Sequence, residues 1–213
     1  MNINELARDI HANAVSHGWW DGERKAPEIS ALIHSEWSEA LEEARAGRPL
    51  VWYKADDDLR CCAKTHCGGV FAGDCCIGAN GKPNCPSHNK PEGVAVELID
   101  GCIRILDAFD FFGVKFNDKE KSLDDLMNDA KAEVLTKVDS VSSLVAYLHY
   151  ETSMLFLASA TGSVKKLPPA TFLLGALGIA MAWVREQGLD PLAILLEKHE
   201  YNKTRPYKHG KKF

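Results

Sequence analysis

The stretch that decides the fold is GVAVELIDGCIRILDAFDFF, residues 93–112. Apolar residues dominate it, and their spacing predicts one long helix over this range. A single polar stripe runs along that helix with the spacing i, i+3, i+7 and i+10, formed by Glu97, Asp100, Arg104 and Asp107. A helix that is apolar over most of its surface is buried on most sides. We therefore expect the polar stripe to face into the protein as well.

A second acidic helix is predicted upstream, opened by Pro27 and Glu28 and stopped at Gly47. Glu36 and Glu39 lie three residues apart in it and therefore share one face. Glu36 interrupts the apolar stripe of this helix instead of lying opposite it. Most Glu-x-x-Glu pairs on helices are solvated surface, and this pair taken alone favours that interpretation. The buried stripe downstream favours an interior site.

Carboxylates that converge in a protein interior repel one another, so they either take up protons or gather a cation. Hard oxygen ligands select Mg²⁺, with Mn²⁺ as an alternative. We therefore predict a Mg²⁺ site formed by Glu36, Glu39, Glu97 and Asp100. A metal held in this way also binds substrate phosphates, which suits hydrolysis of a phosphoanhydride. An internal ion pair of Arg104 with Asp100 and Asp107 is the competing interpretation.

The rest of the chain predicts further helices and no strands. Ser122 and Asp125 form a capping box at the start of one helix. Two strongly apolar helices follow near 140–160 and 169–187, and Pro191 starts the last one. No segment alternates apolar and polar residues in the way that a strand requires. The expected fold is an all-α bundle of antiparallel helices.

A short internal match suggests that the chain consists of two halves. Residues 33–38 (IHSEWS) resemble residues 148–153 (LHYETS), but the acids of the first copy are mostly missing from the second. We predict a catalytic helical repeat over 1–113 and a degenerate repeat over 114–213, whose basic C-terminal tail completes the site. Chance similarity between two apolar helices is the alternative.

Residues 52–91 break the helical pattern, because they are rich in Cys, Gly, Asp and Pro. We predict an insert within the catalytic repeat. Cys85 and His88 have a spacing typical of zinc ligands, and nearby cysteines could complete a structural Zn²⁺ site. Free or oxidised thiols are the alternative. The predicted ligands are Cys62, Cys67, Cys76, Cys85 and His88.

Composition narrows the class of protein. The 213 residues are 46% apolar and carry a net charge of −5, which is ordinary for a soluble protein and does not suggest specific nucleic-acid binding. The most apolar run, 171–184, is too short to span a bilayer, so no membrane partner is expected. Charged residues interrupt the beginning of the chain, so no signal sequence is predicted. We expect a cytoplasmic protein.

Four blocks of the sequence together resemble the MazG-like all-α nucleoside triphosphate pyrophosphatases. They are GWWD at 18–21, LIHSEWSEALE at 32–42, KPEGVAVELID at 90–100 and KHEYNKTRPYKHG at 198–210. The blocks occur in the family's order and cover under half of the chain. The insert and the long stretch 114–190 depart from the pattern of shorter family members.

The resemblance implies Mg²⁺-dependent hydrolysis of nucleoside or deoxynucleoside triphosphates to monophosphate and pyrophosphate. The matched acids would be metal ligands, and Glu36 would also orient or deprotonate the attacking water. Lys198, Asn202 and Arg205 match the closing motif and would bind phosphates. A solvated basic terminus is the alternative for these three. The implied partners are a small-molecule nucleotide and a second copy of the chain in a homodimer.

Aromatic side chains near the acids are candidates for stacking on the nucleobase, although core packing is the commoner role for any one of them. The candidates are Trp19, Trp20, Trp37 and Trp52. Two other functions fit the same sequence. One is a non-enzymatic helical scaffold with a zinc-knuckle interaction module, and the other is a different Mg²⁺-dependent nucleotide phosphohydrolase.

Overall fold

The computed structural model describes residues 3–22, 24–54, 90–112, 114–115, 122–161 and 170–210. This part of the chain is mainly helical, which confirms the expected all-α class. Its helices are α1 (Ile3–Ser16), α2 (Ala26–Arg45), α3 (Val94–Phe111), α4 (Leu123–Glu133), α5 (Val141–Thr161), α6 (Ala170–Glu186) and α7 (Pro191–Lys203). None of these helices is long and apolar enough to cross a membrane.

Local signals set the ends of several helices. The capping box at α4 is present, since Ser122 Oγ accepts a hydrogen bond from the Asp125 amide and the Asp125 carboxylate accepts one from the Ser122 amide. At α7, Asp190 Oδ1 accepts from the amides of Leu192 and Ala193. These bonds satisfy amides that the first turn of a helix leaves without partners.

The prediction that the chain has no strands was wrong at the two ends of the insert. A short antiparallel ribbon pairs β1 (Trp52–Lys54) with β2 (Lys90–Glu92), and Trp52 lies opposite Glu92. Strands of three residues are too short to show the period of two on which strand prediction depends. Their pairing is a contact between residues distant in sequence, which periodicity cannot detect.

The helices pack in the same order in both halves of the chain. In the first half, α1 and α2 both pack against α3, and in the second, α4 and α5 both pack against α6. The halves join through contacts of α2 with α5 and of α3 with α6. The last helix, α7, lies on α3 and also contacts α6 and β2.

A close contact between α2 and α3 positions the acidic face. Trp37 is 0% exposed, and a Cβ atom added to Gly101 would lie 2.2 Å from its ring, so only glycine permits this approach. The Trp37 indole N–H donates to Thr152 Oγ1 on α5 at 2.9 Å. Trp37 therefore fixes α2 against both neighbours, and this also fixes the adjacent Glu36.

Candidate metal-binding site

Three acidic side chains converge where α2 meets α3. Glu36 comes from α2, and Glu97 and Asp100 come from α3; one carboxylate oxygen from each lies within 4.8 Å of the other two. Glu97 and Asp100 share a face because they are three residues apart on one helix. Glu36 and Glu97 are buried and Asp100 is partly buried. Three of the four predicted metal ligands are thus brought together.

The fourth predicted ligand, Glu39, is exposed and lies outside this group of three. A separation of three residues turns the side chain about 60° around the helix. Since α3 covers the side of Glu36, that rotation takes Glu39 towards solvent. Its charge is still close enough to add to the raised pKa of Glu36.

Two basic side chains neutralise part of this cluster. The Arg104 Nε–H donates to Glu36 Oε1 at 3.1 Å. Lys198 Nζ lies 3.2 Å from Asp100 Oδ2 and 3.9 Å from Glu97 Oε1. Arg104 thus forms an internal ion pair, but its partner is Glu36 on α2, whereas the competing interpretation from the sequence paired it with Asp100 and Asp107.

Burial and neighbouring charges raise the pKa of two of these acids and lower that of the third. Burial raises the pKa of Glu36 to about 7. The negative charge of Asp100 adds to this rise, and the positive charge of Arg104 opposes it. Burial raises the pKa of Glu97 to about 9, although Lys198 pulls in the other direction. Burial acts on Asp100 too, but Lys198 and Arg104 outweigh it and hold its pKa below the ordinary value. Near neutral pH, Asp100 is thus ionised and Glu97 protonated.

Sequence reasoning missed one acid of this region, Glu92 on β2. It is buried, forms an ion pair with Lys90 and shares a hydrogen bond with Glu97. Burial acts to raise its pKa, but the bonds to Glu97 and Lys90 outweigh burial and lower it. The signal was present, because Glu92 belongs to the 90–100 block. It was overlooked because no strand was expected there.

A polar pocket lies beside the acids, between α1, α3 and α7, with a volume of about 50 Å³. Its lining includes Trp19, Asp100, Arg104, His199, Asn202 and Arg205. Two of the three predicted phosphate-binding residues, Asn202 and Arg205, therefore line this pocket, whereas the third, Lys198, contacts the acids. The Asn202 Oδ1 atom is buried and has no hydrogen-bond partner within the described ranges.

Asp107, which lines the pocket, is the centre of a second polar cluster. Asp107 accepts hydrogen bonds from His11 Nδ1 at 2.6 Å and from the Trp20 indole at 3.1 Å. The bond to Asp107 raises the pKa of His11. Asp107 was visible as part of the polar stripe on α3. Nothing in the pattern of α1 distinguished His11, because its partner is distant in sequence.

The four tryptophans named as base-stacking candidates have different environments. Trp19 lines the pocket, with the Arg104 guanidinium 5.6 Å from the centre of its ring. Trp20 lies next to it and binds Asp107 through its N–H. Trp37 packs wholly inside the core. Trp52 donates to Glu43 at the base of the insert. Trp19 and Trp20 are thus the two beside the pocket.

The predicted zinc ligands lie outside the described residues. They are Cys62, Cys67, Cys76, Cys85 and His88. Cys102, which the structure does describe, is buried in α3, and burial raises the pKa of its thiol. Comparisons of the chain with protein-family models, with curated proteins and with solved structures found no match.

Proposed function

We propose that this chain is a Mg²⁺-dependent nucleoside triphosphate pyrophosphatase. The observation that carries the proposal is the group formed by Glu36, Glu97 and Asp100, whose oxygens lie within 4.8 Å of one another. Oxygen ligands at this spacing, in a buried position, fit Mg²⁺ or Mn²⁺. The polar pocket beside them offers donors for phosphate oxygens.

The side chains divide the chemistry among them. Glu36, Glu97 and Asp100 would hold the ion, which supplies charge neutralisation for the phosphates and a more acidic water. Glu36 has a pKa of about 7, near the value that suits a general base. Arg104 donates to its Oε1 atom, and with the ion in place this carboxylate would orient or deprotonate the attacking water. Arg205 and Asn202 bind and orient the phosphates.

The position of the family-like blocks supports the same function. The block at 32–42 lies in α2, that at 90–100 spans β2 and the start of α3, and that at 198–210 begins in α7. These are the elements around the acids and the pocket. We infer that the chain belongs with the MazG-like enzymes on this basis.

The shared packing order of the two halves supports an internal duplication. We assign the repeats to 1–113 and 114–213, with the first keeping the acids and the second serving as a scaffold. A chain with two repeats would form, as a homodimer, an assembly of four similar units.

A second candidate function is supported by Arg104 and Lys198. Because Lys198 is buried and Arg104 partly buried against acids, the cluster could be a metal-free ion-pair network in a non-enzymatic helical scaffold. Such networks fix the packing of helices and catalyse no reaction. This candidate expects no metal binding and no turnover.

The test is a panel of nucleoside and deoxynucleoside triphosphates with Mg²⁺, scored for pyrophosphate and for phosphate. The wild-type chain should release pyrophosphate, and Glu36→Gln should lose about 10²-fold or more of the rate. Glu42→Gln is the matched control, since Glu42 is exposed on the same helix. Release of phosphate alone would favour a different phosphohydrolase, and absence of any product would favour the scaffold.

A further inference from the structure

Lys198 is the buried group that the proposed chemistry leaves unexplained. Its side chain is 1% exposed. Its ammonium lies 3.2 Å from Asp100 Oδ2 and 3.9 Å from Glu97 Oε1, and it donates to the Pro91 carbonyl at 3.1 Å. A residue with these contacts is not available to a phosphate, which is the role that the sequence predicts for it.

A divalent ion and this ammonium compete for the same oxygens. Mg²⁺ binds carboxylate oxygens at about 2.1 Å. An ion on Asp100 would therefore lie within about 5 Å of the present position of the Lys198 nitrogen. The two cations would repel each other strongly there, because a buried pair is screened little by solvent. Binding of the metal thus requires Lys198 to move.

Helix α7 offers Lys198 a second position. Asn202 lies four residues further along, so both side chains project from one face, and helical side chains lean towards the N-terminus. The Asn202 Oδ1 atom is buried and lacks a hydrogen-bond donor among the described residues, which is costly. An ammonium that leaves the acids along α7 would meet this acceptor at the wall of the pocket.

We propose that Lys198 is a displaceable internal counter-ion that exchanges with the divalent ion. This inference rests on the proposed metal site. Without metal, its ammonium neutralises Asp100 and lies beside Glu97. With metal, it binds Asn202 Oδ1 and faces the pocket, where it joins Arg205 as a phosphate ligand. The pocket therefore gains its full charge only after the ion is bound, so metal binds before nucleotide.

The experiment measures Mn²⁺ binding to the full chain without nucleotide, by the electron paramagnetic resonance signal of free Mn²⁺. Lys198→Met keeps the length of the side chain and removes the charge, so it should bind Mn²⁺ about tenfold tighter or more. Lys203→Met is the matched control, because Lys203 is an exposed lysine of the same helix, and it should bind like the wild type. Asn202→Ala removes the second position and should bind Mn²⁺ more weakly.

Unchanged or weaker binding by Lys198→Met, beside normal binding by the wild type, would overturn the counter-ion role and leave the proposed function standing. Absence of binding by both chains would overturn the two together.

A measurement on the wild type covers the case in which Lys198→Met does not fold. A buried lysine ammonium exchanges slowly with water, so it gives a ¹H–¹⁵N resonance that its contacts with Asp100 assign. Saturating Mg²⁺ should shift this resonance, whereas a Mg²⁺-free buffer of equal ionic strength should leave it unshifted. A resonance that Mg²⁺ leaves in place would contradict the exchange.

Discussion

The two halves of the bundle share a packing order but differ in what their central helices bury. In the first half, α2 and α3 bring three carboxylates together around Glu36. In the second, the internal match places Glu151 at the position of Glu36, and α6 has no acid between Thr171 and Val184. Glu151 is therefore a single half-buried acid, and burial alone raises its pKa. The two halves therefore differ in how many acids meet where their helices pack.

The largest difference between the halves should appear in activity. Glu36→Gln should lower the rate of pyrophosphate release about 10²-fold or more, because it removes both a metal ligand and the proposed base. Glu151→Gln should leave the rate within about twofold, because no second acid faces it from α6. Steady-state rates at saturating Mg²⁺ make the comparison. Equal losses in the two variants would show that the chemistry does not belong to the first half.

A smaller difference is expected in the tolerance of helix glycines. A Cβ atom on Gly101 would lie 2.2 Å from the Trp37 ring, whereas one on Gly175 would lie 2.9 Å from the end of the Glu151 side chain. Gly101→Ala should therefore cost about 1–3 kcal/mol in the free energy of unfolding, because an enclosed ring cannot move aside. Gly175→Ala should change it by less than about 1 kcal/mol, since a flexible carboxylate can move and alanine favours helix.

Denaturant unfolding of both glycine variants, followed by far-ultraviolet circular dichroism, measures these free energies. The two changes are matched, because each adds one methyl group to a helix that packs against its partner helix. A larger cost at Gly175 than at Gly101 would contradict the packing described for α2 and α3.

The smallest effect, on the free energy of unfolding, should come from a histidine pair where α2 of the first half contacts α5 of the second. His34 on α2 stacks on His149 on α5, and their Nδ1 atoms lie 2.6 Å apart, so one ring donates its proton to the other. Burial lowers the pKa of both rings below 6.5, and the neighbouring histidine adds to the effect at His34. Near pH 6.5 these two rings thus bind fewer protons in the folded chain than in the unfolded chain.

The direction in which stability changes with pH follows from that difference in bound protons. The pair contributes fully to stability above the unfolded pKa of about 6.5, and the contribution is lost as the pH falls through the lower folded-state values. Because the rings are half exposed, we expect a few tenths of a kcal/mol. Unfolding at pH 7.5 and pH 5.5 should show a smaller pH dependence in the His34→Gln/His149→Gln double variant. An identical dependence in both chains would exclude the pair as its source.

The comparison of sequence with structure shows where prediction from sequence succeeds. The bounds of α3 and the starts of α4 and α7 could be predicted, because an apolar period or a cap within a few residues sets them. The acidic stripe could also be predicted, since Glu97 and Asp100 share a helix face whatever the rest of the fold. The exposed position of Glu39 could not, because it depends on how α3 covers α2.

The sequence by itself determined the helical class and the inward stripe of acids, since both depend on spacing along one helix. The basic residues near the acids at the end of the chain were predicted only through the family resemblance. The tertiary structure decided which charges meet. It placed Glu92 against Glu97, Lys198 between acids of another helix, and His11 against Asp107. The Lys198 and His11 contacts join residues far apart in the chain, and the Glu92 contact depends on how β2 leads into α3. In a buried site these distances set the balance between repulsion and ion pairing. That balance is a property of packing, which no local pattern records.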